Sequence, residues 1–150
     1  MLQNSEKNES LKKYIKTKFE IGEEMKDFEL ILGNKKIRIT SKDFLSEVER
    51  LGGVSGVCVF RKGKVWNPTS NIVFVLGHLS RKKYELNKGE LIKLFKIGEL
   101  NKEIPEEGYV ILSFRNFPIS LAFNKNGILK CMMPKEFRRE ILEILKEQGL

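Results

Sequence analysis

The stretch GYVILSFRNFPISLAFNKNGILKCMMP, residues 108–134, decides the fold of the C-terminal half of the chain. Its three apolar runs predict three strands, at 108–114, 117–123 and 128–133. Arg115–Asn116 separates the first two runs, and Asn124-Lys-Asn-Gly127 separates the second from the third. Because Asn and Gly accept the left-handed backbone of tight hairpins, consecutive antiparallel pairing is expected.

Two helices and a further strand surround this core stretch. Residues 82–87 predict a strand, and Asn87 followed by Glu90 predicts the capping box of a helix that Gly98 ends. After the polar connector 99–107 and the three strands, an amphipathic helix is predicted over 137–148. We expect its apolar side to consist of Phe137, Ile141, Ile144, Leu145 and Gln148. A C-terminal domain over 82–150 follows.

The N-terminal half, 1–81, shows a different order of elements. Helices are predicted at 5–19 and 42–51, strands at 28–32 and 37–40, and a strand, turn and returning strand across 54–66. Pro68 is suited to the first turn of a helix through 71–79, but the β-branched residues there favour a strand. The fold class expected for the whole chain is α+β.

The charge and hydrophobic content of the chain limit the kinds of partner that it could bind. The chain has 150 residues, 41% of them hydrophobic, and a formal charge of +8. Such a surplus of cations gives affinity for polyanions, but a merely basic surface is the alternative. The polar N-terminus lacks a signal-peptide pattern, and the longest apolar run, 72–76, is far shorter than the roughly 20 residues of a membrane span. We therefore expect a cytoplasmic protein without membrane contact.

The residue types that carry catalysis are sparse. Cys58 and Cys131 lie in apolar runs far apart, and His78 is the single histidine, so no metal site is predicted. The glycine-rich segment 51–56 follows a predicted helix and lacks a phosphate-binding lysine, so it is interpreted as a helix stop. Neither a cofactor nor an enzymatic activity is expected.

Basic residues cluster in three places, at 61–64, at 81–83 and at 130–139. Lys and Arg on loops can neutralise phosphates, although a solvated surface is the alternative for each cluster. The third cluster flanks a strand–Pro–helix junction, which favours a binding role. Trp66 is the preferred candidate for base stacking. The strand aromatics Phe114, Phe117 and Phe123 are more typical of a core.

The C-terminal half resembles the PUA-like RNA-binding domain. The resemblance covers about 82–139 and depends on GYVI, on FPISLAF, on NGILK and on PKEFRR, which are motifs of moderate specificity. More closely, this half is similar to the version found in RsmF-type and Nop/Sun-type RNA cytosine-C5 methyltransferases and in short archaeal ribosome-biogenesis proteins. It departs from them at Ser120 and Ala122, where the family usually has a glycine pair.

The resemblance implies an N-terminal α/β, pre-PUA-like region packed on a PUA-like β-barrel. It implies a non-catalytic targeting module that binds structured rRNA or tRNA, with a separately encoded RNA methyltransferase or ribosome-assembly factor as a further partner. The alternative is a protein-interaction adaptor in ribosome assembly that docks through Trp66 and the apolar part of 68–79. The RNA-facing residues that the resemblance implies are Lys82, Lys83, Arg115, Lys130, Lys135, Arg138 and Arg139.

Overall fold

A computed structural model describes residues 2–43 and 56–149 and confirms the α+β class. The chain divides into two units. One comprises Met1–Ile72 and Leu79–Arg81, and the other comprises Val73–His78 and Lys82–Leu150. The boundary was expected between residues 81 and 82, so the division differs in that Val73–His78 belongs to the second unit. Among the residues described, no helix has both the length and the apolar character that crossing a membrane requires.

The first unit combines a helix with an antiparallel sheet. Helix α1 (Leu2–Lys18) is followed by four strands that pair in sequential order, β1 (Phe28–Leu32), β2 (Lys36–Ser41), β3 (Val57–Lys62) and β4 (Trp66–Pro68). The ring of Tyr14 packs edge-on against Phe19 and Phe60, at centroid distances of 6.3 and 6.1 Å. Residues 42–43 are helical, and the rest of the helix predicted over 42–51 lies outside the described residues.

The segment after Pro68 is a helix, so the preference for a strand was wrong. Helix α2 (Asn71–Leu76) continues into a 3₁₀ turn, Gly77–Leu79. The hydroxyl of Thr69 and the amide of Asn71 donate to the carbonyl of Cys58, at 2.8 and 3.0 Å. These bonds tie the start of α2 to β3, so tertiary anchoring overrides the β propensity of the Ile and Val residues.

The second unit has a mixed five-stranded sheet with two longer helices. Its strands are β5 (Lys83–Glu85), β6 (Glu99–Asn101), β7 (Gly108–Phe114), β8 (Phe117–Lys125) and β9 (Ile128–Cys131), in the spatial order β5-β7-β8-β9-β6. Strand β5 pairs with β7 in parallel, and the other pairs are antiparallel. Helix α3 (Lys88–Ile97) connects β5 to β6, and α4 (Lys135–Glu147) ends the unit.

Local signals predicted from the sequence are present where the chain reverses. Arg115 and Asn116 have φ values of 50° and 69°, and Asn126 and Gly127 have 53° and 83°. Successive left-handed residues are the hallmark of a type I′ turn, which matches the twist of the flanking strands. The second turn sets the register of β8–β9. The register of β7–β8 shifts by one residue between Leu112 and Ser113, and beyond this shift Tyr109 lies opposite Phe123.

Helix α3 begins and ends as predicted. The Asn87 side chain accepts a hydrogen bond from the Glu90 N–H at 2.8 Å, and the Glu90 carboxylate accepts one from the Asn87 N–H at 2.9 Å. Gly98 closes the helix in a left-handed conformation, φ 95°. The buried side of α3 consists of Leu91, Leu94 and Phe95.

The apolar side of α4 differs from the predicted one. Phe137 and Ile144 are 51% and 56% exposed, while Leu142, absent from the prediction, is 9% exposed. The helix packs on α3 and the sheet core through Leu142, Ile141 and Leu145, a stripe rotated away from Phe137. The core beneath it includes Leu86, Leu91, Leu94, Phe95, Val110, Leu112, Ala122 and Leu129.

Candidate RNA-binding surface

The sheet of the second unit carries aromatic and basic side chains on the face opposite to the core. Leu129 and Cys131 belong to the core, so Lys130 between them leaves the sheet on the other face. Lys130 lies opposite Phe123 of β8, and Phe123 lies opposite Tyr109 of β7. We call Tyr109, Phe123 and Lys130 the sheet-face row, because the strand registers align them across three neighbouring strands.

The two rings of the sheet-face row contact each other and remain accessible. Their centroids are 5.0 Å apart at an interplanar angle of 80°, and the Phe123 side chain is 37% exposed. Burial raises the pKa of the Tyr109 hydroxyl, which therefore stays protonated at physiological pH. Lys125, two residues from Phe123 on the same strand, is exposed on the same face. This surface offers π-faces for stacking beside two cations.

Glu99 sets a limit to the positive charge of this surface. Strand β6 places it opposite Lys130, on the far side from Phe123. An acidic residue beside a lysine in neighbouring strands reduces the local positive potential. The net positive charge at this edge therefore depends on Lys125 as well as on Lys130.

Three of the predicted RNA-facing residues lie on α4 and its N-terminus, away from the sheet-face row. Lys135 and Arg139 are exposed. The Arg138 side chain is instead hydrogen-bonded within the protein. Its Nε donates to the Met133 carbonyl at 3.1 Å, and its Nη1 donates to the Phe95 carbonyl at 2.9 Å. It satisfies a backbone acceptor at the C-terminal end of α3. The strand–Pro–helix junction thus separates Lys130 from the three α4 residues instead of bringing all four together.

Arg139 borders a shallow groove between α3 and α4. The groove has a volume of about 510 Å³, and its polar lining comprises Lys96, Arg139, Lys146 and the carboxylate of Glu143. Ile92 and Leu142 complete the lining. Three cations against one carboxylate give this groove a positive charge that suits a phosphate, but its lining includes no aromatic ring that could stack on a base.

Lys82, Lys83 and Arg115 lie near acidic partners in the second unit. Lys82 Nζ lies 2.6 Å from Glu106 Oε2. The backbone N–H of Asn116 donates to Glu85 Oε1 at 3.0 Å and is the largest reason that the pKa of Glu85 lies below its usual value. The Arg115 backbone and the Lys83 charge contribute in the same direction. These carboxylates offset part of the positive charge that the sequence predicted here.

Two aromatic candidates are engaged by neighbouring cations. The guanidinium carbon of Arg115 lies 5.0 Å from the centroid of the Phe114 ring. Lys62 Nζ lies 5.7 Å from the centroid of Trp66, which is half-buried in the first unit. Trp66 and the sheet-face row therefore belong to different units.

Sequence reasoning missed part of the surface. Tyr109 and Lys125 were not singled out, and Phe123 was expected in the core. For Phe123 and Lys125, the signal that could have identified them is the two-residue alternation along β8 and β9, counted outward from the hairpin turn at Asn126–Gly127. That count places Phe123, Lys125 and Lys130 on one face.

The two thiols and the single histidine lie in different surroundings. Both thiols are free, with Cys131 buried 3.2 Å from the Ser120 hydroxyl and Cys58 half-buried, and His78 is exposed. Within 2–43 and 56–149, no three His, Cys, Asp or Glu side chains are grouped so that they could hold a metal ion. No protein-family model matches the chain, and a search among curated proteins finds no relative.

Proposed function

We propose that this protein binds structured RNA, rRNA or tRNA, without catalysing a reaction. The observation that carries the proposal is the sheet-face row, in which Tyr109, Phe123 and Lys130 lie side by side at the exposed end of a sheet face. Sequence-tolerant RNA binding combines rings that stack on bases with cations that track the phosphates.

The sheet-face row suits unpaired bases better than a duplex. A base stacked on the exposed face of Phe123 would place its phosphate within reach of the flexible side chains of Lys125 and Lys130. A loop or end of a structured RNA offers such splayed bases, whereas a helix keeps them stacked inside. We therefore expect tRNA loops or rRNA junctions to bind more tightly than a plain RNA duplex.

We further propose that the second unit is a PUA-like module. Its order of strand, capped helix, edge strand and consecutive hairpins supports this assignment, as do the motifs quoted from 82–139. In a PUA-like barrel the edge strands β5 and β6 would close the sheet. Such a module would bring a separately encoded RNA methyltransferase or ribosome-assembly factor to its RNA, which is the targeting role that the resemblance implies.

The alternative, a protein adaptor docking through the half-buried Trp66 and the apolar part of 68–79, has less support. Ile72, Val73 and Leu76 are each at most 1% exposed, and Phe74 is the large apolar side chain of that segment that is well exposed, at 55%. A docking surface normally presents several contiguous apolar side chains. This segment offers one, so RNA is the better-supported partner.

A binding titration over a range of salt concentrations tests the proposal. Total tRNA and an rRNA fragment would be titrated against the wild type, Phe123→Leu, and the pair Lys125→Gln/Lys130→Gln. Phe123→Leu should weaken binding about tenfold through loss of one stacked base. The double lysine variant should lower the slope of log K against log salt by about 1 to 2.

A matched control separates a specific face from general charge. Lys88→Gln/Lys93→Gln removes the same two charges from exposed positions on α3 in the same unit. It should leave affinity close to that of the wild type. Equal weakening by both pairs, together with wild-type affinity of Phe123→Leu, would show that the sheet-face row is not the binding surface. Absence of RNA binding by the wild-type protein would refute the function itself.

A further inference from the structure

Two hairpin turns of the first unit lie next to each other at one end of its sheet. The β1–β2 turn spans 33–35 and the β3–β4 turn spans 63–65. Strand β2 begins where β3 ends, because Lys36 lies opposite Arg61 and the Lys62 N–H donates to the Lys35 carbonyl at 2.9 Å. Residues that are separated by more than twenty positions in the sequence therefore meet at one edge.

This edge is strongly and uniformly basic. We call its five exposed cations the hairpin-tip cluster; they are Lys35, Lys36, Arg61, Lys62 and Lys64. Residues 30–42 and 56–84 contain no Asp or Glu. None of the five forms an ion pair with a carboxylate of the described residues, whereas Lys12 and Arg81 of the same unit pair with Glu29 and Glu24.

An aromatic ring lies within the cluster. Trp66 is opposite Lys62 across the β3–β4 hairpin, and the ammonium lies 5.7 Å from the ring centroid. The neighbouring Asn67 lies opposite Arg61, and Val65 at the turn is 67% exposed. The tip thus presents cations beside an aromatic ring on a short hairpin.

We propose that the hairpin-tip cluster is a second RNA-binding site, which holds the phosphate backbone with Trp66 beside it. The inference rests on the proposed function, because the ligand is the same class of molecule. Uncompensated like charges cost folding free energy through mutual repulsion, and a polyanion relieves that cost while releasing its counterions. Cations at the ends of two paired strands and in the adjoining turns can follow successive phosphates, which the carboxylate-paired residues around Glu85 and Glu106 do less well.

The single tryptophan supplies a direct readout. Trp66 is the only Trp in the chain, so a change of tryptophan fluorescence on adding tRNA reports on this hairpin alone. Binding at the tip should shift or quench the emission with the same midpoint as the binding isotherm. Heparin at equal charge concentration is the comparison polyanion, and an equally tight response to it would overturn RNA as the ligand.

Charge variants of the full chain complete the test. The tip variant is Lys35→Gln/Lys36→Gln/Arg61→Gln/Lys64→Gln, which retains Lys62 because it covers Trp66. Its control, Lys7→Gln/Lys13→Gln/Lys16→Gln/Lys26→Gln, removes the same number of charges from exposed positions outside the sheet of the same unit. We expect the tip variant to lose at least tenfold in affinity and to lower the salt slope by about 3. Thermal unfolding by circular dichroism verifies that both variants are folded.

The outcomes separate this inference from the proposed function. Weakening by Phe123→Leu, with unchanged Trp66 emission and equal affinities of the tip variant and its control, overturns the hairpin-tip site and leaves the sheet-face row in place. Weakening by the tip variant alone, with Trp66 quenching, supports the tip and overturns the sheet-face row as the binding surface. No binding by the wild type overturns both.

Discussion

The guanidinium group of Arg138 occupies the space that a side chain at Gly98 would need. A β-carbon built on Gly98 would lie 3.1 Å from both terminal guanidinium nitrogens, closer than ordinary packing allows. From this position the group reaches the Phe95 and Met133 carbonyls. The glycine that ends α3 therefore also admits the residue that ties α4 to the end of α3.

Replacing Arg138 should destabilise the fold, whereas replacing its neighbour should not. A lysine has one ammonium group and cannot reach both carbonyls with the planar geometry of a guanidinium. Arg138→Lys should lower the free energy of unfolding by about 2 kcal/mol, the typical loss for hydrogen bonds from a charged donor. Urea unfolding measures this, with Arg139→Lys as the control. Equal stability of the two variants would refute the structural role.

Removal of the capping box should weaken α3. Asn87→Ala leaves the Glu90 N–H without its side-chain acceptor and should cost about 1 kcal/mol of unfolding free energy. Asn87→Ser restores an N-cap acceptor and should recover most of that loss, while Lys88→Ala at the adjacent exposed position should change stability little. Urea unfolding monitored by circular dichroism distinguishes the three variants. An Asn87→Ala variant as stable as Asn87→Ser would contradict the expectation.

The sequence predicted those parts of the fold whose signals are local. The turns at 115–116 and 126–127, the capping box and the glycine end of α3 each follow from two to four adjacent residues. The short strand β6 was missed because Leu100 is a single buried residue between exposed Glu99 and Asn101, too brief for a periodic pattern. Its existence depends on pairing with β9, which is a non-local contact.

Of the sheet-face row, the sequence predicted Lys130 but not the two aromatic residues beside it. Lys130 and Arg138 are close in sequence, yet one leaves the exposed sheet face and the other binds carbonyls at the end of α3. The sequence could not show that Lys82 meets Glu106, or that Lys36 meets Arg61 across two strands. Such pairings depend on strand register and on tertiary packing, which composition and spacing do not encode.

Acidification should loosen the β7–β8 turn through Glu85. Hydrogen bonds from the Asn116 N–H, and then from the Ser113 hydroxyl, lower the pKa of Glu85 in the folded state. Because the pKa of Glu85 is lower in the folded state, its carboxylate stabilises the fold at any pH above the pKa of an unfolded-state Glu, which is near 4.3. This contribution is lost as the pH falls through the folded-state pKa.

Comparison of melting temperatures between pH 7 and pH 3 tests the role of this carboxylate. Glu85→Gln should melt below the wild type at neutral pH, and the difference should shrink once the pH falls below about 4. Glu147→Gln, near the exposed end of α4, serves as the control and should melt with the wild type at neutral pH. A difference between Glu85→Gln and the wild type that stays constant over the whole range would contradict the carboxylate's role.

Asn124 should be the polar residue on which the second unit depends most. Its side chain is fully buried, and its amide donates to the carbonyls of Glu106 at 2.7 Å and Ile104 at 3.3 Å while its oxygen accepts from the Gly127 N–H at 3.1 Å. Asn124→Leu keeps the branched shape of the side chain but leaves these backbone groups unsatisfied, which should cost about 3 kcal/mol or more.

The loss of these hydrogen bonds should be detectable locally, in the connector between β6 and β7. Hydrogen exchange of residues 102–108 should accelerate in Asn124→Leu, because that segment loses two of its bonds to β8. Asn126→Gly is the matched change in the same turn; glycine accepts the φ of 53° found there, so stability should be unchanged or slightly higher. If Asn124→Leu unfolds at the same urea concentration as the wild type and hydrogen exchange in 102–108 is unaltered, the amide is replaceable. The connector would then be held by the buried Ile104 and by the Lys82–Glu106 ion pair.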